Sequence, residues 1–290
     1  MRRATVVLPA GLSWWRGMPG GAAWLERLPR LAAECAEQWS LELEPPSAAS
    51  NASLVVPAGD VVLKLNPPDD ESEHEPDALR AWSGEGAVRL LAHDPERRAL
   101  LIERCRPGTQ LLALGEDDAG DVVAGLLPRL WKPPLPQYRL LADVAARWVD
   151  EIPDTWERYE RPFERRLLDE TVSALRELGP SQGVLVTANE DLHSGNVLRA
   201  AREPWLVIDP KPIAAERDFT LVSMVRDRPR DVLAGERPAE RLARRLDLLA
   251  SSLELDRERL RRWTIAHTIA WGFDPEGFLP GHAEIARLLL

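Results

Sequence analysis

Lysine is close to absent from this chain of 290 residues: Lys64, Lys132 and Lys211 are three of 37 basic residues, and the rest are arginine. An ammonium is a compact point charge on a flexible stem, whereas a guanidinium is a planar fork, so each surviving lysine is a candidate for a position that arginine does not fill. Cysteine is scarcer still. Cys35 and Cys105 make neither a disulfide framework nor a metal-ligand cluster, which is compatible with a reducing cytoplasm. No apolar run approaches the roughly 18 residues of a membrane span. Arg2 and Arg3 precede Val6-Val7-Leu8, but that run stops at Pro9, so no signal peptide is expected. A basic excess is also missing. The net charge of −10 excludes the basic footprint of general nucleic-acid binding and leaves room for a cationic partner. These absences predict a cytoplasmic protein with no nucleic-acid or membrane partner.

What is present divides at a Pro-Gly joint near residue 107. Trp24, Leu25, Leu28, Leu31, Cys35 and Trp39 recur at three- and four-residue steps and predict a leading helix, with Pro29 marking a break or a new first turn. Two β-like runs follow, 53–56 and 60–65, joined by Pro57-Ala58-Gly59 as a hairpin turn. A short helix is expected around Pro76 to Trp82, and two more strands at 88–91 and 99–103 around the turn-like His93-Asp94-Pro95. Helical periodicity then dominates at 117–131, 140–159 and 163–178, and again at 238–253, 256–271 and 282–290. Between these helices lies a small β island at 184–187, 197–199 and 205–209. The expected fold class is α+β, and there is no internal repeat.

The chemistry concentrates in the island. Asn189-Glu190-Asp191-Leu192-His193-Ser194-Gly195-Asn196 places an Asp and an Asn five positions apart, and the apolar run Trp205-Leu206-Val207-Ile208 ends on Asp209. This is the Asp-to-Asn spacing of a kinase catalytic loop, in which the Asp takes the proton of the acceptor hydroxyl and the Asn holds magnesium. Asp209, at a strand end beside Pro210, suits a hard, oxygen-ligated cation. Taken alone the octapeptide is equally a polar turn, because Asp, Ser, Gly and Asn are turn formers. His193 reads as a hydrogen-bonded structural residue, and Ser194 lacks the G-x-S-x-G elbow of a nucleophile. A metal hydrolase using Asp191, His193 and Asp209 is the other alternative, without paired histidines to support it.

Lys64 distinguishes these readings. It lies inside Val61-Val62-Leu63-Lys64-Leu65, where a kinase places the lysine that reaches the α- and β-phosphates and pairs with a helix glutamate. Glu73 and Glu75 are the two candidates, and Glu75 is favoured because the apolar helix face Ala78-Leu79 follows it. The alternative is a strand-end lysine that snorkels to the surface.

Lys64, Glu75-Pro-Asp-Ala-Leu-Arg-Ala-Trp, Leu100-Leu-Ile-Glu-Arg-Cys-Arg-Pro-Gly, Asp191-Leu-His-Ser-Gly-Asn-Val-Leu and Trp205-Leu-Val-Ile-Asp-Pro-Lys occur in the order found in the aminoglycoside phosphotransferases. More narrowly, the chain resembles the streptomycin/hydroxyurea antibiotic-resistance kinases from about Trp24 onward. The resemblance implies a two-lobed, protein-kinase-like fold: a β-rich N-lobe over 1–105, a mainly helical C-lobe over 106–290, and ATP between them. It implies Asp191 as catalytic base, Asn196 and Asp209 as Mg²⁺ ligands, and Lys64, held by Glu75, as phosphate anchor. Glu103, through its carbonyl, and Cys105, through its N–H, would read adenine. His193 would brace the loop.

Three departures accompany it. The phosphate-covering segment, Ser47 to Ser53, has no glycine. Asn189-Glu190 stands where many relatives carry His-Gly; an Asn at that place fits the streptomycin-type branch. After Lys211 the chain lacks a glycine near Ala215 and has Thr220 where a structural Asp is common. The substrate is expected to be a small hydroxylated molecule meeting Asp150, Asp154, Trp156, Trp263, His267 or Trp271. A cationic guanidinium sugar would suit the carboxylates among them.

Overall fold

The computed structural model describes residues 6–48, 52–275 and 277–290. They fall into two compact units: Met1–Gly108 with Arg199–Asp209, and Thr109–Leu198 with Pro210–Leu290. The sequence-based boundary lay a few residues earlier and left 199–209 with the helical part.

In the first unit a 3-10 turn, Ala10–Gly17, leads into α1 (Gly21–Gln38). The expected break at Pro29 does not occur; Pro29 is inside α1. A mid-helix proline costs about 3 kcal/mol, and burial of Leu25, Leu28, Leu31, Ala32 and Cys35 along one face offsets that at about 1.5–3 kcal/mol per large apolar side chain. The hairpin strands are β1 (Leu54–Ala58) and β2 (Val61–Leu65), paired so that Ala58 faces Val61. Pro57 and Ala58 therefore belong to the strand, and the loop is Gly59-Asp60, with Gly59 at φ +61° as the first residue of a two-residue turn. Pro57 is tolerated because β1 is an edge strand.

Then come α2 (Glu75–Trp82), with Pro76 in its first turn, β3 (Leu90–Asp94) and β4 (Ala99–Glu103). The sheet order is β1-β2-β4-β3, all antiparallel. Strand β3 starts two residues later than expected and runs through the supposed turn at His93-Asp94. The reversal is made instead at 95–98, where Arg98 adopts φ +50°. The core under this sheet joins Leu54, Val56, Leu63 and Leu65 to the buried face of α1. Of the glycine-free segment at 47–53, residues 49–51 lie outside the described residues.

The second unit contains α3 (Glu116–Leu130), β5 (Arg139–Leu140), α4 (Leu141–Arg158), α5 (Arg165–Leu178), β6 (Leu185–Asn189) and β7 (Val197–Arg199). Strand β8 (Trp205–Val207) belongs to the first unit, and the second resumes with β9 (Pro212–Glu216). Next come α6 (Val222–Val225), α7 (Pro229–Ala234), α8 (Pro238–Ser252), α9 (Arg257–Ala270), β10 (Phe273–Asp274), β11 (Gly277–Phe278) and α10 (Pro280–Leu288).

Strand β9 has no counterpart in the sequence reading. It is buried at every position and central in the sheet β5-β9-β6, where Ala215 pairs with Val186. A strand buried on both faces shows no alternation to detect, and an extended Ala215 needs no glycine. At its end Glu216 accepts from Trp263 Nε1 (2.6 Å) and Arg259 Nη2 (2.6 Å), which fastens β9 to α9.

Candidate active site

In the first unit Lys64 brings two carboxylates together. Its Nζ is 2.5 Å from Glu75 Oε2 and 2.5 Å from Asp209 Oδ1. Glu73 is exposed. Strand β2 aims Lys64 inward, α2 presents Glu75 from its first turn, and Asn66 Nδ2 donates to the same Glu75 oxygen at 2.7 Å. Ser53 Oγ in turn donates to Asn66 Oδ1 at 2.8 Å, which fixes the amide.

Burial works against the charge on Lys64, but Asp209 and Glu75 together outweigh it and hold the ammonium above its usual pKa. Burial, with Asp209 adding to it, pushes the Glu75 carboxyl up against the pull of Lys64. One ammonium thus faces two carboxylates. Asp209 adopts φ +52° immediately before Pro210. A left-handed residue costs about 1–2 kcal/mol, and such strain is typical of sites whose surroundings dictate the backbone.

The expected adenine-reading segment ends β4. Glu103 N–H donates to Arg89 O and Arg104 N–H to Asp60 O, and the Glu103 side chain is held by Arg202 at 2.9 Å. Burial raises the Cys105 thiol to about 11, which makes it a poor nucleophile.

In the second unit the catalytic-loop motif is organised from behind. Asn189 Oδ1 accepts from both Asp191 N (3.1 Å) and Lys211 N (3.0 Å), tying the loop to the residue that precedes β9. Asn196 Nδ2 donates to the Asp191 carbonyl at 3.0 Å. Because a carbonyl only accepts, this bond fixes the amide and leaves Asn196 Oδ1 as its oxygen donor for a ligand. His193 Nδ1 accepts from Gly195 N at 3.0 Å, and its other ring nitrogen is 3.9 Å from Asp191. Among the described residues, Thr220 hydrogen-bonds only within its own turn, to Arg217 O. The carboxylate bracing the loop is Asp227, which accepts from Ser194 N at 3.2 Å; nothing in the sequence spacing singled it out.

The Asp191 side chain is 16% exposed, and among the described residues neither of its carboxylate oxygens accepts a hydrogen bond. Charged neighbours stand just beyond that range: Lys211 Nζ is 3.6 Å from Oδ2 and Arg226 Nη2 is 4.0 Å from Oδ1. Behind them, buried Glu190 pairs with Arg139 at 2.6 Å. Sequence reasoning missed Arg226, Arg139 and Glu190, and marked Lys211 only by its rarity.

The proposed acceptor residues fare unevenly. Trp271 lies 4.6 Å from Lys211 Nζ and 5.3 Å from the Arg226 guanidinium, and so is near Asp191. Trp156 and Trp263 are core residues whose indole N–H groups are spent on Phe163 O and Glu216. Asp150 and Asp154 are exposed on α4. His267 is fully buried among Trp148, Phe219 and Trp271, too deep to touch an acceptor.

The histidines here give a pH prediction. Burial, with the Arg226 charge adding to it, lowers His267 well below its usual value and lowers His282 from 6.5 to about 4. Between pH 6.5 and 4 the unfolded chain therefore binds protons that the folded chain refuses, so stability falls as pH falls through that window. His282 contributes on the order of 2 kcal/mol. Urea unfolding at pH 7 and pH 4.5 should show this loss, and His282→Gln should lessen it; an unchanged difference contradicts the assignment.

Mg²⁺ keeps several waters and needs only one or two protein ligands beside substrate phosphates. Asn196 in the second unit offers an amide oxygen and Asp209 in the first a carboxylate, each by itself a hard oxygen donor of the kind Mg²⁺ takes. No group of three or more His, Cys, Asp or Glu able to hold an ion occurs among the described residues. No helix among the described residues is long and apolar enough to cross a membrane.

This architecture is that of the kinase-like phosphotransferases. It matches the choline kinase LicA from Streptococcus pneumoniae with a TM-score of 0.62 at 13% identity, covering 91% of this chain and 99% of that one. A spectinomycin phosphotransferase in complex with AMP matches at 0.56 and 12% identity, over 81% and 86% of the two chains. At such identities the likeness establishes the fold. The chain belongs to the aminoglycoside/hydroxyurea antibiotic resistance kinase family, whose profile matches residues 38–273. It is 40% identical to a streptomycin 6-kinase of Streptomyces glaucescens over 251 residues, 84% of this chain and 81% of that protein. It is also 41% identical to a hydroxyurea phosphotransferase of Kitasatospora aureofaciens over 278 residues, 92% and 79% of the two.

Proposed function

We propose that this protein transfers the γ-phosphoryl group of ATP to a hydroxyl of a streptomycin-like aminoglycoside or of hydroxyurea, with Asp191 as the base. The observation that carries the reading is the Asp191–Asn196 pair: a carboxylate that accepts no hydrogen bond from the described residues, next to an amide whose oxygen is turned to a ligand by its own N–H bond to Asp191 O. Relatives that phosphorylate streptomycin and hydroxyurea, at about 40% identity, supply the two acceptor classes.

The acceptor O–H donates to Asp191. Its oxygen bonds to the γ-phosphorus as the bridging P–O bond breaks, the proton passes to Asp191, and ADP leaves. Lys64, oriented by Glu75, would bind the α- and β-phosphates. Asn196 and Asp209 would hold Mg²⁺, which when bound neutralises phosphate charge. The Glu103 carbonyl and Cys105 N–H would read adenine; the turning of the Glu103 and Arg104 amides to opposite neighbours supports an extended segment that offers its polar groups alternately.

An acceptor screen with ATP and Mg²⁺, read by mass spectrometry for gain of one phosphate, tests the proposal. Streptomycin or hydroxyurea should be phosphorylated. Turnover of neither, beside efficient turnover of another alcohol, would reject the acceptor class and leave the kinase chemistry standing.

A further inference from the structure

Asp191 is preceded by a glutamate whose side chain is fully buried, and a carboxylate is almost never so placed unless it is paired. We propose that Glu190, paired with Arg139, is a positioning residue that sets where the Asp191 carboxylate stands for phosphoryl transfer. The proposal rests on the kinase reading above, in which Asp191 is the base.

The sheet gives the first support. Strands β5 and β6 flank β9, with Arg139 beside Ile213 and Asn189 beside Pro212. Glu190 carries the pairing one residue past β6, since its N–H donates to Lys211 O at 3.0 Å. Arg139 Nη2 donates to Glu190 Oε2 at 2.6 Å. This bond joins the two outer strands across the start of the central one, at the end of the sheet from which the catalytic loop departs. Neighbouring strands are about 4.8 Å apart, so two such steps are spanned, a reach that needs two long side chains.

The peptide group between Glu190 and Asp191 is the second. It is planar, and both of its edges are held. Its carbonyl, Glu190 O, accepts from Ser223 Oγ at 2.9 Å, and its N–H, on Asp191, donates to Asn189 Oδ1 at 3.1 Å. Glu190 is thus tied by its N–H, its carbonyl and its carboxylate to three separate segments, at 211, 223 and 139. Asp191 Cα is bonded to the nitrogen of that same peptide group, so a tilt of the plane moves its carboxylate. Because that carboxylate accepts no hydrogen bond among the described residues, its place is set through the backbone.

Charge is the third. Desolvation of two charges can outweigh their attraction, and replacing a buried ion pair by apolar side chains of similar volume is often neutral or stabilising. A strap that only closed the sheet could therefore be apolar. An ion pair adds direction, because a guanidinium fork meets a carboxylate in few orientations. His267 Nε2 is 3.8 Å from the other Glu190 oxygen, but burial keeps the imidazole neutral. Arg226 also feels the Glu190 charge, while Arg139 is the cation in contact with it.

The test uses the full chain and compares wild type with Arg139→Met/Glu190→Leu, which replaces both charges by apolar side chains. Rates are read as phosphate transfer from ATP, with Mg²⁺, to streptomycin and hydroxyurea, and to water when no acceptor is added. The double variant should melt within about 4 °C of wild type and be stabilised by ADP and Mg²⁺ to the same extent. Its kcat should fall about 100-fold, the loss that a misplacement of about 1 Å brings, with the KM for ATP within about threefold of wild type. Glu190→Gln keeps the size and an oxygen that accepts from Arg139, so it should retain more of the rate than the double variant. A folded double variant with wild-type kcat, or a loss confined to KM, overturns the proposal while the kinase reading stands. If the double variant does not melt cooperatively, Glu190→Gln decides by the same split: wild-type kcat overturns the proposal, and a lowered kcat at unchanged KM upholds it. A wild type that turns over ATP with no acceptor, water included, overturns the kinase reading and the proposal together.

Discussion

Asp191→Asn is expected to reduce phosphoryl transfer by about 10³-fold, within the range that a positioned base contributes, while nucleotide-dependent thermal stabilisation is retained. The amide keeps the shape of the carboxylate but cannot take the hydroxyl proton. Little else should change, because the Asp191 side chain has no structural hydrogen bond among the described residues. The bonds that shape the loop come from its backbone: Asp191 N to Asn189 Oδ1 and Asp191 O from Asn196 Nδ2. The damage should therefore fall on kcat and spare the fold. Single-turnover transfer with saturating ATP separates these effects. A variant that keeps a tenth or more of wild-type kcat removes Asp191 from the role of base. A variant that loses activity together with its melting transition leaves the loss assigned to folding.

Lys64→Met is expected to act on stability as well as on nucleotide binding. Lys64 and Glu75 are almost fully buried, at 4% and 0% side-chain exposure, and Asp209 is partly open at 30%. Removing the ammonium leaves Glu75 without a cation at the centre of the cluster, and breaking a buried pair in this way costs about 3–5 kcal/mol. The variant should also show a stronger local pH response. Without Lys64 to oppose burial, the folded pKa of the Glu75 carboxyl rises further above its unfolded value. Its contribution is then fully present below the unfolded value and is lost as pH rises through the folded one. Lys64→Met should accordingly recover part of its deficit on going from pH 8 to pH 5, over a range in which the histidines make wild type less stable. The double variant Lys64→Met/Glu75→Leu should be more stable than Lys64→Met alone, because it removes the stranded charge. Chemical denaturation of the three proteins at both pH values decides the matter; a Lys64→Met deficit that is small and independent of pH would show that the cluster carries little stability.

Much of this candidate site could be proposed from sequence because its parts are encoded in short, ordered motifs. A lysine inside an apolar β run, an Asp and Asn five apart and an Asp closing the run Trp205 to Ile208 all have spacing that a single loop or strand imposes. The helices of the second unit were legible for the same kind of reason, since one buried face repeats every three to four residues. Where local signals conflicted with burial, burial prevailed: α1 runs through Pro29, and Pro57 stays in an edge strand. Strand β9 was lost because complete burial erases the alternation that marks a strand.

The environment of Asp191 could not be read this way. Lys211, Arg226 and Trp271 come from the entry to β9, the residue after α6 and the end of α9. Arg139 reaches Glu190 across 51 positions, and Asp227 reaches Ser194 across 33. No periodicity links residues so spaced; they meet because β9 is central in its sheet and α9 packs against α6. The same holds for the acceptor candidates, where residue type suggested Trp156, Trp263 and His267 and burial placed all three in the core. Short-range order along the chain determines which chemical groups exist and in what sequence they come, because a loop or strand holds its own residues at set distances. Packing determines what charge surrounds them, because Coulomb interaction depends on separation in space and on exclusion of water, and both arise only when distant segments close around Asp191.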